Sequence, residues 1–219
     1  VCDEKGRVMN TTHHPKLIFP PKKSASSRKN MILCIGSSMN SGKSTAAAQC
    51  CWTLSSLGFK VNSCKITGTA SLKDILLAKD SGANRVADFT HLGFPSTYLL
   101  DQKTLIGIFT ALENEYGQDD YWIVEIADGV RQRETNMLMK TPEVQDKIHK
   151  LIFCAQDALG ISGGLKVLKS DFGLVPDAIS GPVAGSQLAL SELEKKVRDQ
   201  IPSFDSMVKD LKEMIKVLF

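Results

Sequence analysis

The chain has 219 residues, of which 42% are hydrophobic, and its formal net charge is +3. A chain of this length and composition can bury the core of one ordinary domain. No segment approaches the roughly 20 consecutive apolar residues that a membrane span needs, and no charged-then-apolar leader with a cleavage site is visible, so we expect a cytoplasmic protein without a membrane partner.

Most of the positive charge lies in the first thirty residues. Residues 1–30 hold seven Lys or Arg against two acidic residues, a local charge of +5, which leaves the rest of the chain at −2. A nucleic-acid-binding domain groups its Lys and Arg on one face with interleaved aromatic residues, and no such pattern follows residue 30. We therefore expect no nucleic-acid partner.

A domain boundary is predicted at the end of this basic segment. Residues 22–30 are polar, Ser-rich and basic, and they end where an apolar run begins at Met31. We expect residues 1–30 to be a linker or the remnant of an N-terminal domain located upstream. Residues 31–219 are expected to form the main domain.

The six cysteines predict no disulfide framework. Three of them fall in predicted apolar strands and two are adjacent on a predicted helix. No Cys-x-x-Cys pair and no neighbouring His gives the spacing of a metal site. They are typical of small buried hydrophobic residues in a reducing compartment.

The first predicted strand, residues 31–35, leads into Gly-Ser-Ser-Met-Asn-Ser-Gly-Lys-Ser-Thr at residues 36–45, and an Ala-rich helix is predicted from 44 to 57. A buried strand followed by a small-residue loop that ends in Gly-Lys-Ser at a helix start is the arrangement of a phosphate-binding loop. A strand, turn and helix that contain Gly-Lys-Ser by chance are the alternative. The flanking strand and helix favour the phosphate-binding loop.

Each part of this loop has a physical purpose. Backbone N–H groups must wrap the phosphates closely, which requires small side chains, and the helix start attracts the same anion. Lys43 is expected to contact the outer phosphates, and the Ser44 hydroxyl is expected to hold Mg²⁺. The predicted nucleotide-binding residues are Gly36, Ser38, Met39, Asn40, Ser41, Gly42, Lys43, Ser44 and Thr45.

Strands alternate with helices along the rest of the chain. Further strands are predicted at 60–66, 84–89, 121–127, 151–155 and 176–180. Helices are predicted at 71–80, 101–116 and 157–172, and over most of the chain after residue 187. The alternation predicts an α/β fold with three layers, α/β/α, and a mostly parallel sheet, with the phosphate-binding loop at its carboxyl edge.

Three polar residues stand at positions where a ligand is expected. Lys65 ends a predicted strand, and Glu125 lies inside an apolar one, where a carboxylate is costly unless it meets a cation or hydrogen bonds. Asp74 lies in the first turn of a predicted helix. Its alternative role there is to stabilise the helix dipole.

These residues and the loop resemble the dethiobiotin synthetase-like family of P-loop NTPases, which includes the glutamine-dependent cobyrinate and cobyrate amide synthases. Members of this family have five residues between the two loop glycines, as do Gly36 and Gly42 here. Residues 65–69 and 125–135 are most similar to an uncharacterised P-loop set that carries an extra N-terminal domain. The resemblance covers residues 31–190.

The resemblance implies ATP and Mg²⁺ as cofactors, with GTP as the alternative nucleotide. It implies catalytic roles for Lys43, Lys65 and Glu125, and a magnesium site formed by Ser44, Asp74 and Glu125. Apart from the resemblance, Asp88 is an alternative acidic ligand, and a solvated acid in a loop is the other interpretation of this residue. The implied contacts to a small-molecule substrate are Thr67, Thr69, Ser96, Asp128, Arg131 and Arg133. The alternative for Arg131, Arg133 and Glu134 is an exposed run of ion pairs.

Two departures from the family matter. Glu125 is followed by Ile-Ala-Asp-Gly-Val-Arg-Gln-Arg rather than by the Gly-Ala-Gly-Gly of the synthetase, which indicates a different substrate. The position of the asparagine that reads adenine in the family falls at about Gly185.

The first functional hypothesis is an ATP-dependent enzyme, similar to a ligase or synthetase, that activates a small carboxylate or carbamate by phosphoryl transfer. The second is a nucleotide-dependent switch or accessory ATPase or GTPase that works as a homodimer in cofactor or metal delivery. The third is a regulatory domain with a vestigial loop.

Overall fold

The computed structural model describes residues 4–5 and 29–219. The expected linker or domain remnant at residues 1–30 lies almost entirely outside these described residues. Within them, no helix combines the length and the hydrophobicity that crossing a membrane requires.

Strands and helices alternate along the described chain. The strands are β1 (Met31–Gly36), β2 (Val61–Lys65), β3 (Arg85–Asp88), β4 (Tyr121–Glu125), β5 (Ile148–Cys154) and β6 (Ala178–Ser180). The helices are α1 (Lys43–Ser56), α2 (Leu72–Asp80), α3 (Gln102–Tyr116), α4 (Arg133–Met139), α5 (Pro142–Gln145), α6 (Ala158–Phe172), α7 (Gln187–Ser191), α8 (Lys195–Gln200) and α9 (Leu211–Leu218). Short 3₁₀ helices occupy Phe89–Leu92 and Pro182–Gly185.

The strands form one parallel sheet in the order β3-β2-β4-β1-β5-β6. Helices cover both faces, so the predicted three-layer α/β fold with a parallel sheet is confirmed. Strand β1 shows why, because its side chains alternate between two cores. Met31, Leu33 and Ile35 pack in the core that includes α3 and α6, while Ile32 and Cys34 pack in the core that includes α1 and α9.

The sheet order places β1 between β4 and β5. The chain moves to one side of β1 for β2, β3 and β4 and to the other side for β5 and β6. Open parallel sheets bind ligands at the carboxyl ends of the strands beside such a reversal. The loop after β1 lies at this point.

Several boundaries differ from the predicted ones. Strand β4 ends at Glu125, so residues 126 and 127 belong to a loop at the carboxyl edge instead of the strand. Helix α3 begins as predicted after Asp101, whose carboxylate accepts a hydrogen bond from Thr104 N at 2.8 Å. Helices α4 and α5 were not expected. Helix α4 begins after Gln132, which is not a typical N-terminal cap, although its side chain accepts from two backbone N–H groups.

The five described cysteines are buried and unpaired with one another, which agrees with the interpretation as small hydrophobic residues. Burial raises the pKa of the Cys51 and Cys64 thiols to about 12. These thiols are therefore not reactive thiolates at neutral pH.

Candidate functional site

The loop between β1 and α1 folds back over the lysine that begins α1. Gly42 precedes that helix with φ +92°, a left-handed conformation that favours glycine. The Lys43 ammonium donates a hydrogen bond to Ser38 O at 2.8 Å, and the whole residue is buried. Asn40 also has a positive φ, of 59°. The loop thus forms a closed turn around the Lys43 side chain.

Close backbone contacts hold this loop on both sides. A Cβ added to Gly129 would lie 2.4 Å from Ser37 O, and one added to Gly181 would lie 2.2 Å from Ser41 O. Val130 N also donates to Gly36 O at 2.9 Å. The loop is therefore seated between the segments that follow β4 and β6.

The Ser44 hydroxyl lies next to two carboxylates. Its Oγ donates to Glu125 Oε1 at 3.1 Å, and it is 3.4 Å from Asp74 Oδ1. The ammonium of Lys65 forms an ion pair with Asp74 and lies 3.9 Å from Glu125 Oε1. The pairing of β2 with β4 accounts for the last contact, because Lys65 and Glu125 are register partners.

Burial is the largest single influence on the pKa values of Lys43, Lys65 and Glu125, and the neighbouring charges modify it. Burial raises the pKa of the Glu125 carboxyl, nearby Lys65 opposes that rise, and Asp74 adds to it. Burial lowers the pKa of Lys43, while Glu125 opposes the change. Burial also acts to lower the pKa of Lys65, but Glu125 and Asp74 together outweigh it and the pKa is raised. Lys65 is therefore fully charged at neutral pH.

A cleft of about 510 Å³ opens over the cluster. Most of the predicted site residues line it, namely Met39, Asn40, Ser41, Gly42, Lys43, Ser44, Thr45, Lys65, Thr69, Asp74, Glu125 and Asp128. The other lining residues, which were not predicted as site residues, are Gly68, Ser71, Lys73, Leu77 and Ala127. Lys73 could have been found, because it lies beside Asp74 in the first turn of α2.

Four of the other predicted residues do not line the cleft. Gly36 is buried at the end of β1, and Ser38 presents its carbonyl to Lys43. Thr67 donates its hydroxyl proton to Ala127 O. Ser96 donates to Gly68 O at 3.2 Å. The last two residues brace the loop after β2 rather than lining the cleft.

The two predicted arginines also lie away from the cleft. Arg133 donates to Leu100 O at 2.9 Å and pairs with Glu134 at 2.9 Å. Arg131 lines a separate cavity. Glu134 is only 1% exposed and accepts from Leu99 N at 2.7 Å, so the interpretation of this run as fully exposed is wrong for Glu134.

The alternative metal ligand Asp88 has a structural role in this conformation. It is 2% exposed, caps the 3₁₀ helix that follows β3, and accepts from Thr90 N at 2.9 Å. It does not line the cleft. Of the two alternative acidic ligands, Asp74 and Asp88, it is Asp74 that lies next to Ser44.

The oxygen groups around Ser44 suit Mg²⁺. Among residues 4–5 and 29–219, no group of three or more His, Cys, Asp or Glu side chains could hold a metal by itself. Magnesium in nucleotide sites uses one or two carboxylates together with phosphate oxygens and water. Two carboxylates and one hydroxyl therefore fit a magnesium ion that arrives with a nucleotide.

No family model and no curated protein matches the chain. Solved structures with the same fold include a ParA family ATPase from Chlorobium tepidum TLS, at 14% identity and TM-score 0.52, covering 88% of this chain and 89% of that one. A nucleotide-binding protein from Archaeoglobus fulgidus in complex with ADP has 12% identity, TM-score 0.54 and coverages of 88% and 86%. The hydrogenase maturation factor HypB from the same organism has 13% identity, TM-score 0.52 and coverages of 88% and 89%.

These similarities establish the fold of P-loop NTPases for this chain. At such low identities they carry no activity or ligand with them. None of the three is described as a dethiobiotin synthetase. The narrower resemblance to that family stays a prediction.

Proposed function

We propose that the protein binds a nucleoside triphosphate with Mg²⁺ in the cleft and transfers its terminal phosphoryl group. The observation that carries this proposal is the convergence of Lys43, Ser44, Lys65, Asp74 and Glu125 at one edge of the sheet. Phosphoryl transfer requires mainly positioning and neutralisation of charge on the phosphate oxygens. The two lysines would neutralise this charge, and the oxygen atoms of Ser44, Asp74 and Glu125 would position the phosphates through a magnesium ion.

The phosphates would lie against the backbone N–H groups of residues 38–45, at the start of α1. The Lys43 ammonium already lies inside this loop, where Ser38 O accepts from it. A phosphate oxygen is a charged and therefore stronger acceptor than a carbonyl. Lys43 is therefore expected to bind the outer phosphates.

Ser44, Asp74 and Glu125 would hold the magnesium ion. When bound, the ion would neutralise charge on the outer phosphates. Lys65 would supply a second cation beside the transferred group, because it already contacts both carboxylates. Thr69 and Asp128 line the same cleft and are the proposed contacts to the phosphoryl acceptor.

For the acceptor we favour a small carboxylate or carbamate, which makes the protein an ATP-dependent enzyme similar to a ligase or synthetase. This choice, and that of ATP over GTP, rests on the sequence resemblance. The second candidate is a nucleotide-dependent switch or accessory NTPase that dimerises. The fold that the chain shares with a ParA family ATPase and with a hydrogenase maturation factor favours this second candidate.

The Lys43→Ala variant tests the common part of both candidates. We expect nucleotide turnover to be abolished while the circular dichroism spectrum is unchanged, since the side chain serves the anion rather than the core. Lys103→Ala, on the exposed side of α3, is the matched control and should keep the parent rate. A Lys43→Ala protein that turns over nucleotide at the parent rate would show that the cleft assignment is wrong.

A second measurement separates the two candidates. Nucleotide hydrolysis is followed with and without a panel of small carboxylates, and the mass of the protein is followed in parallel. Stimulation by a carboxylate supports the ligase-like enzyme. Slow nucleotide hydrolysis that carboxylates do not change, and that accompanies dimerisation, supports the switch.

A further inference from the structure

A second cavity lies on the other side of the phosphate loop and shares no lining residue with the cleft. Its volume is about 410 Å³. One wall comes from Ser37 of the loop and from Val130 and Arg131 after β4. Helix α6 forms the other wall, through Gly163, Lys166 and Val167 among others. A volume of this size is typical of small-molecule sites.

The lining combines positive charge with an apolar floor. Among the described residues that line the cavity, Arg131 and Lys166 are the charged ones and none is acidic. The Arg131 side chain is 73% exposed, and its ion-pair partner Asp171 lies 3.7 Å from a single guanidinium nitrogen. The other N–H groups of the guanidinium are therefore available to an anion. Val130 and Val167 are buried and provide apolar contact.

Two adjacent glycines of α6 explain how the cavity stays open. A Cβ added to Gly164 would lie 2.0 Å from Phe153 Cζ, so this glycine lets the helix pack closely on β5. A Cβ added to Gly163 would meet nothing within 4 Å. Gly163 therefore faces open space, and a larger side chain there would fill the cavity without disturbing the core.

We propose that this cavity binds a small organic anion, a carboxylate with a short apolar body, through Arg131 and Lys166. Guanidinium groups bind carboxylates with paired hydrogen bonds, and the two valines suit a short hydrocarbon chain. This site is additional to the nucleotide cleft and does not depend on the proposed function.

The test is calorimetric titration of the full chain, without nucleotide, with acetate, succinate, glutarate and inorganic phosphate. We expect at least one carboxylate to bind saturably. Arg131→Gln should weaken it by about tenfold or more, the loss expected for a charge-assisted hydrogen bond. Gly163→Leu should weaken it similarly by filling the cavity.

Matched controls place the binding in this cavity. Lys169→Gln removes a cation from the same helix outside the cavity, and Gly107→Leu fills open space on α3. Both variants, and Lys43→Ala, should bind the carboxylate as the parent does. Carboxylate binding that is retained in Lys43→Ala would not come from the nucleotide cleft. The carboxylate site can therefore be established even if nucleotide turnover is never found.

Three results would overturn the proposal. The first is the absence of saturable binding by every carboxylate. The second is binding that Lys169→Gln weakens as much as Arg131→Gln, or that only Lys43→Ala removes. The third is binding of phosphate through Arg131 that is as tight as the binding of every carboxylate, or tighter.

Discussion

Glu125 is a carboxylate at the end of a strand whose other residues are apolar. Its side chain is 8% exposed, and it is within reach of Ser44 and Lys65. Burial makes the ionised form costly, and these contacts offset only part of that cost, because the pKa is still raised. Glu125 therefore lowers the stability of the empty protein, which is typical of functional carboxylates.

This raised pKa predicts how stability depends on pH. Above the ordinary value of 4.5 the unfolded chain loses its Glu125 proton, while the folded chain keeps it until its higher pKa is reached. The contribution of Glu125 to the free energy of unfolding is therefore fully present below pH 4.5. It is lost as the pH rises through the pKa of the folded state.

In metal-free protein, the free energy of unfolding should therefore fall less for Glu125→Gln than for the parent when the pH is raised from about 4 to 7. Urea unfolding at several pH values measures this difference. Glu115→Gln, on the surface pair with Arg85, is the control and should follow the parent. An equal pH dependence in all three proteins would contradict the prediction.

The same variant tests the magnesium site. Glu125→Gln keeps the shape of the side chain but removes its negative charge, so we expect the magnesium concentration needed for half-maximal turnover to rise by about tenfold or more. Asp74→Asn should have an effect in the same direction. Unchanged magnesium dependence in both variants would show that the metal binds elsewhere.

At the scale of single residues, the sequence predicted that Glu125 needs a partner, because an acid inside an apolar strand is recognisable. It also marked Lys65, Ser44 and Asp74, and the structure brings all three to Glu125. It did not predict the burial of Glu134. That burial depends on a hydrogen bond to Leu99, 35 residues away, which no local pattern encodes.

At the scale of elements, the phosphate loop depends on two glycines from other segments. The strand, loop and helix were predictable from an apolar run followed by small residues and Gly-Lys-Ser. The close contacts of the loop with Gly129 and Gly181 were not predictable, because they join strand ends that meet only in the assembled sheet.

Gly181→Ala should therefore weaken nucleotide binding by about tenfold or more, since its Cβ would press on Ser41 O. Gly173→Ala is the matched control, because Gly173 also has a positive φ, of +70°, but a Cβ there meets nothing within 4 Å. The control should lose about 1–2 kcal/mol of stability and keep its affinity. Equal affinities for both variants in a fluorescent-nucleotide titration would show that the close contact between Gly181 and Ser41 O is unimportant for nucleotide binding.

At the scale of the whole molecule, the sheet order joins residues from widely separated parts of the chain into one cleft. Alternating elements predict a parallel sheet, but the neighbours of β1 follow from packing of the complete chain. Helices α7 and α8 were predictable only as helical tendency, because each is too brief for a clear apolar period.

Binding in the cleft should stabilise the whole domain. At 100 times its dissociation constant, MgATP or MgGTP should add about 2.7 kcal/mol, or roughly 5–10 °C in Tm for a domain of this size. Differential scanning fluorimetry with each nucleotide measures this shift and identifies the preferred base. No shift with either nucleotide at millimolar concentration would instead support the hypothesis of a vestigial loop.

The central position of β1 also governs when the site can form during synthesis. Met31 pairs with Trp122 and Ile148, and the loop after this strand rests on Gly181. At about 5–20 residues per second, a ribosome needs roughly 7–30 s to pass from Gly36 to Gly181. In the first part of that interval, until β4 and β5 have been synthesised, the apolar strand β1 has no partner strand, so the nascent chain is then most vulnerable to aggregation.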